Sequence, residues 1–290
     1  STLNSTLFPY TTLFRSNFFE RERMKKKRFS ILVLLLLLSF LTGCFQFGPM
    51  DVFDTKNLFQ KSSLEKDFFM GKYSSTVDNF FIILDSSSSM GMVYEGKVIK
   101  GYSKLRVAKD FVRRMNNILP EMQIKGALQT FGAGISKQAE TLYGPVTHSR
   151  AGLEQSLNSV KASAEGNSPA GIAIDATSKL LSTVKGRNAV IFISDGERLE
   201  NNPLMKVQAL KEKYGKMTCF YSVWVGNKPK GKAIMKKRAG EMECGFFTVI
   251  DDVWLRKDME NFVKRVFLTT TSATAMDSDG DGVYDEVDEC

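Results

Sequence analysis

Phe80-Phe81-Ile82-Ile83-Leu84-Asp85-Ser86-Ser87-Ser88-Ser89 is the stretch on which the fold turns. An apolar run without alternation is what a strand covered on both faces looks like, and such strands belong to parallel sheets. The run stops on an acid and a row of serines, a polar turn at the carboxyl end of the strand. Three further runs have the same character: Ala189-Val190-Ile191-Phe192-Ile193, Cys219 to Val225, and Phe246 to Ile250. Helical patterns fall between them. Leu105, Ala108, Val112, Met115 and Leu119 recur at helical spacing behind a Ser103 cap. Asn202-Pro203 opens another helix that Gly215 closes, with Leu204, Val207, Leu210 and Tyr214 inward. The segment from Ala233 to Met242 reads as helical, and Leu255, Met259, Phe262 and Val266 mark a last helix. Strands alternating with helices over about 190 residues predict an α/β fold: a doubly wound, mostly parallel sheet with helices on both faces. Such sheets bind ligands outside the carboxyl ends of their strands.

Three loops leave that edge. The first is Asp85-Ser86-Ser87-Ser88-Ser89, which alone is weak, since serine-rich turns after strands are common. The second, Gly166-Asn167-Ser168-Pro169-Ala170-Gly171, leads into a helix with Ile172, Ala173, Ala176 and Leu180. The third is Ser194-Asp195-Gly196-Glu197, again straight off a buried strand. The ordered trio Asp-x-Ser-x-Ser, Gly-x-Ser-Pro and Ser-Asp-Gly resembles the metal-ion-dependent adhesion site of von Willebrand factor type A domains, over about residues 77 to 268. The resemblance implies that Asp85, Ser87, Ser89, Ser168 and Asp195 hold a divalent ion. Ser168 stands where that family usually has Thr, which keeps the hydroxyl and drops a methyl.

Hard-cation chemistry agrees with the residue types. Magnesium takes about six oxygens and retains waters, and serine hydroxyls with two carboxylates supply much of such a shell. Mg2+, or Mn2+, is therefore the cofactor the resemblance implies. With few formal negative charges from the protein the ion stays electrophilic, so the implied partner is a protein or peptide offering an Asp or Glu carboxylate.

An enzyme needs more than this. Asp85-Ser86-Ser87 lacks the second aspartate that a haloacid-dehalogenase-type phosphatase carries two residues on. The one histidine, His148, falls in Thr147-His148-Ser149-Arg150, read as a solvated loop before a helix. The reading is a binding module and not an enzyme. A structural envelope linker with a stabilising metal site is the alternative, and a metal-dependent hydrolase a more distant one.

Charge does not redirect the reading. The net +8 contains +5 from residues 1–43 and −7 from Asp277 to Glu289, leaving about +10 spread over more than 200 residues, so no nucleic-acid partner is expected. Hydrophobic residues at 43% are those of a globular protein.

The ends read as targeting and spacer segments. Residues 1–23 precede a plausible start at Met24 and look like non-native upstream sequence. Residues 24–43 form a signal: Met24-Lys25-Lys26-Lys27-Arg28, an apolar run from Ile31 to Leu41, then Leu41-Thr42-Gly43-Cys44. That ending resembles the lipobox of bacterial lipoproteins, which implies export, acylation of Cys44 and a lipid anchor in the cell envelope. Phe45 in place of Asp points, by the enterobacterial sorting rule, to the outer membrane.

Residues 44–76 are read as a tether with room for one short helix or strand, 77–268 as the type A domain, and 269–276 as a linker. Cys219 begins one predicted strand and Cys244 precedes the next. Parallel neighbours lie about 4.8 Å apart, within disulfide range, and two free thiols are the alternative. Residues 277–290 put Asp277, Asp279, Asp281, Asp285 and Asp288 around Gly282 in the pattern of a Ca2+ loop. This tail, which ends in Cys290, resembles a thrombospondin type 3 repeat. The resemblance implies a chain cut short before further repeats and a peptidoglycan-binding OmpA-like domain.

Overall fold

All seven residues of the strand Asn79–Asp85 are buried, and the reason is its place at the centre of a sheet. The computed structural model describes residues 63–133, 139–161 and 166–271. In chain order these form α1 (Ser63–Phe69), β1 (Tyr73–Ser75), β2 (Asn79–Asp85), β3 (Val93–Glu95), β4 (Lys100–Ser103), α2 (Lys104–Ile118), β5 (Lys125–Phe131) and β6 (Glu140–Thr147). There follow α3 (Arg150–Ser159), α4 (Ala170–Leu181), β7 (Asn188–Ser194), α5 (Pro203–Tyr214), β8 (Thr218–Trp224), α6 (Pro229–Ala239), β9 (Phe247–Val249), α7 (Arg256–Phe267) and β10 (Leu268–Thr270).

Six strands make the main sheet in the order β6-β5-β2-β7-β8-β9. All pairings in it are parallel except that of the edge strand β6, which runs antiparallel to β5. Successive residues of β2 point to opposite faces, so both faces need cover. Phe81 and Ile83 join Ala173 and Ile174 of α4, Val207 and Leu210 of α5 and Met235 of α6 in one core. On the other face, Phe80 meets Phe267 edge-on with centroids 5.7 Å apart, and Phe111 of α2 meets Phe262 of α7 at 5.3 Å. The predicted doubly wound α/β architecture is the observed one.

The connectivity also creates a crevice. From β2 the chain crosses to β5 on one side, whereas from β7 it crosses to β8 on the other. Where adjacent connections diverge, the loops separate and leave room above the strand ends. Here that point lies between the carboxyl ends of β2 and β7, next to Asp85 and Asp195.

Several elements differ from the sequence reading. Strands β5 and β6 and the β3–β4 hairpin carry no unbroken apolar run, so periodicity did not mark them. The helix expected with Ile172, Ala173, Ala176 and Leu180 is present as α4, and its buried stripe is Ala170, Ala173, Ile174, Thr177 and Leu181. Leu255 precedes α7 as its N-cap and is 58% exposed, outside the apolar stripe. The third predicted helix begins earlier, at Pro229, and ends at Ala239 before Met242. Tyr73–Ser75 pairs antiparallel with Leu268–Thr270, so part of the expected tether and linker belongs to the packed unit.

Cys219 and Cys244 are joined by a disulfide, with Cα atoms 4.7 Å apart. It ties β8 to the segment entering β9. The signal segment, Cys44, the acidic tail with its calcium-loop aspartates, and Cys290 lie outside the described residues. Among the described residues no helix is long and apolar enough to cross a membrane.

Candidate metal centre

Asp85 ends β2 fully buried, and donors from all three loops surround its carboxylate. Oδ1 accepts the Ser87 N–H at 2.9 Å. Oδ2 accepts the hydroxyls of Ser168 at 3.1 Å and Ser194 at 2.7 Å. Chain-distant loops are thus stitched to one side chain. Burial pushes the Asp85 carboxyl up to about 6; the charge of Asp195 adds to the rise, and hydrogen bonds from Ser194 and Ser87 oppose it.

Backbone contacts lock the loops together. Ser88 donates from Oγ to the Gly166 carbonyl at 3.1 Å, joining the first loop to the second. Glu200 N–H bonds the Ser168 carbonyl at 2.8 Å and Gly171 N–H bonds the Glu200 carbonyl at 3.0 Å, joining the second to the third. A Cβ on Gly171 would come within 1.8 Å of the Asn201 carbonyl oxygen, so glycine is required for that approach. Ser89 sits on the short turn Ser88–Gly91, half-buried, with its hydroxyl 3.3 Å from that of Ser87.

Asp195 is also fully buried, one residue beyond β7. Its Oδ1 accepts the Glu197 N–H at 2.9 Å, and its Oδ2 accepts from Lys104 Nζ at 2.7 Å. Lys104 opens α2 and is 1% exposed. The same ammonium donates to Glu197 Oε1 at 3.0 Å, and Glu197 Oε2 receives the exposed Lys228. Burial opposes the charge on Lys104, but the ion pairs with Asp195 and Glu197 outweigh it and hold the lysine above its ordinary range. Glu197 is likewise held below its ordinary range by Lys228 and Lys104, against the effect of burial.

The donor set fits a hard divalent cation. Every candidate ligand offers oxygen, and a hydroxyl that donates to Asp85 keeps its lone pairs for an ion. Ser87, Ser89 and Ser168 can offer such hydroxyls, with Asp85 orienting the one from Ser168. Asp195 offers a carboxylate that already faces an ammonium.

Sequence reasoning passed over three participants. Ser194 belongs to the third motif, which does not mark it as a ligand, yet it makes the shortest hydrogen bond to Asp85. Glu197 stood in the third loop without a role. Lys104 could not have been found: it precedes the apolar stripe of α2 like any first-turn lysine, and only packing draws it inward. His148 belongs elsewhere, at the opposite end of the sheet, where its N–H bonds the Ile124 carbonyl at 2.8 Å. It is not the solvated residue expected, because its half-buried ring packs edge-on against Phe80 at 5.0 Å. Neither ring nitrogen has a hydrogen-bond partner among the described residues, and burial, with Arg150 nearby, pushes its pKa down to about 4.

Residues 80–197 match the family model of the von Willebrand factor type A domain, a segment that contains all three loops. Similar solved structures include an aerotolerance-related membrane protein from Bacteroides fragilis NCTC 9343 bearing multiple mutations to serines. It has 19% identity and a TM-score of 0.49 over 65% of this chain and 96% of that one. Manganese-loaded TRAP protein from Plasmodium vivax has 15% identity and a TM-score of 0.46 over 67% and 78% of the two chains. Proximal thread matrix protein 1 from the mussel byssus, with a zinc-occupied MIDAS motif, has 20% identity and a TM-score of 0.47 over 68% and 49%. No curated protein matches the chain.

Proposed function

We propose that this von Willebrand factor type A domain binds a protein or peptide partner through a divalent cation held at Asp85, Ser87, Ser89, Ser168 and Asp195. The observation that carries the reading is the convergence of Ser87, Ser168 and Ser194 on the buried Asp85 carboxylate at the topological crevice. An ionised carboxylate buried at a strand end costs stability unless a cation or donors satisfy it. An ion held largely by neutral hydroxyls retains electrophilicity for a partner's Asp or Glu. Met92 and Val93, shortly after Ser89 in the chain, are 57% and 50% exposed.

The ion is Mg2+ or Mn2+ on this reading. The leader and the Leu41-Thr42-Gly43-Cys44 ending support an exported domain anchored by acylated Cys44 in the envelope, with the outer membrane as destination. The acidic segment from Asp277 supports a calcium-stiffened spacer beyond the domain, leading toward a peptidoglycan-binding module.

Calorimetric titration of the exported part with MgCl2 and MnCl2, for wild type and Asp85→Ala, tests the site. A saturable one-to-one isotherm lost in the variant is expected. Capture on an array of Asp- and Glu-containing peptides, with either ion or with EDTA, tests the partner chemistry. Absence of any isotherm in the wild type sinks the metal reading; metal-independent capture sinks the adhesion reading.

A further inference from the structure

The carboxylate of Asp195 already has a cation. Lys104 Nζ lies 2.7 Å from its Oδ2 and 3.0 Å from Glu197 Oε1, with both side chains of the Lys104–Asp195 pair at least 98% buried. The lysine is locked at its root as well, since its backbone N–H bonds the Met92 carbonyl at 2.9 Å just beyond the first loop. Burying an ammonium is unfavourable unless acids receive it. Two acids receive it here, and one of them is the aspartate assigned to the ion.

An exposed surface lysine would matter little to an ion, because water screens it. This one is held inside. A fixed positive charge in hydrogen-bond contact with a ligand carboxylate repels an approaching divalent cation and competes with it for the same oxygen. It also holds the side chains of Asp195 and Glu197 in position through its two hydrogen bonds.

We propose that Lys104 is a built-in counter-cation of the metal centre: it competes with the divalent ion for Asp195 and weakens metal binding, whereas Asp85 faces only the neutral donors Ser87, Ser168 and Ser194. This rests on the metal-binding reading above. The centre is thereby assembled before the ion arrives, and the bound ion shares less protein charge than it would with two free carboxylates. It is accordingly more exposed electrically to a partner's acid.

The test is titration of Mn2+ into wild type, Lys104→Met and Lys206→Met, followed by calorimetry, with melting recorded in EDTA and in excess Mn2+. Lys206 pairs with Asp175 on the exposed face and controls for loss of one positive charge. Lys104→Met is expected to bind Mn2+ about tenfold more tightly than wild type, to melt lower in EDTA, and to gain more from the ion. Lys206→Met is expected to bind as wild type does.

Equal affinity of wild type and Lys104→Met overturns this proposal while the metal reading stands. No binding by any of the three overturns both. Should Lys104→Met fail to fold, the wild type still decides through the 15N resonance of the Lys104 ammonium. A resonance that shifts on saturation with Mg2+ supports competition, and one unchanged at saturation overturns it.

Discussion

Ser194 Oγ donates to Asp85 Oδ2 at 2.7 Å, and in turn accepts the Gly196 N–H at 3.0 Å. One hydroxyl therefore joins the ends of adjacent parallel strands and shapes the turn that presents Asp195. Ser194→Ala removes a hydrogen bond to a buried carboxylate and is expected to cost about 1.5–3 kcal/mol. Urea denaturation in EDTA measures it. A loss below about 0.5 kcal/mol would show that Asp85 is satisfied without Ser194.

Gly171 is the second place where the site depends on one atom. Its substitution by Ala drives a methyl toward the Asn201 carbonyl, which is rigid backbone, so the second and third loops must part. Gly171→Ala is expected to cost about 1–3 kcal/mol and to weaken Mn2+ binding together with stability. Full retention of both, measured by denaturation and calorimetry, contradicts the close approach.

His148 makes the fold sensitive to acid. Its folded pKa of about 4 lies below the ordinary 6.5, so the fold favours the neutral ring. The stability associated with this is present above about pH 6.5 and is lost progressively as pH falls toward 4. His148→Phe keeps a ring against Phe80 and removes the titration. The variant is expected to exceed wild-type stability by about 1–2 kcal/mol more at pH 5 than at pH 7.5. Parallel pH profiles of the two proteins would refute this.

The disulfide closes a loop of 25 residues around α6. In the chain-entropy account such a closure contributes about 3 kcal/mol, chiefly by restricting the unfolded chain. Cys219→Ala with Cys244→Ala, or reduction, is expected to lower the melting temperature by several degrees while Mn2+ affinity stays as in wild type, because the bridge is remote from Asp85. A fall in affinity alone would show that β8 and β9 position the site.

The unbroken apolar runs of β2, β7 and β8 were legible because a strand buried on both faces cannot tolerate polar residues on either. The helices α2, α5 and α7 were legible through their stripes. By contrast, β5 reads Lys125-Gly126-Ala127-Leu128-Gln129-Thr130-Phe131, and its buried Gln129 and Thr130 look like loop residues. They are satisfied within the fold: Thr177 Oγ1 donates to Gln129 Oε1 at 2.5 Å, and Thr130 Oγ1 donates to the Leu84 carbonyl at 3.1 Å. Burial of polar groups depends on partners far away in sequence, and no local period encodes them.

The same division holds at the centre. Asp85, Ser168 and Asp195 stand out in the chain only as members of an ordered trio of loops whose resemblance to a known motif implies a shared ion, since each polar turn alone is ordinary. That Ser194 belongs to the Asp85 carboxylate, 109 residues away, and that Lys104 of α2 belongs to Asp195 in the loop after β7, 91 residues away, was decided only when these segments packed side by side. Local propensity selects the elements, but the electrostatic partner of a buried charge is chosen by topology, since only folding brings the two charges out of water together.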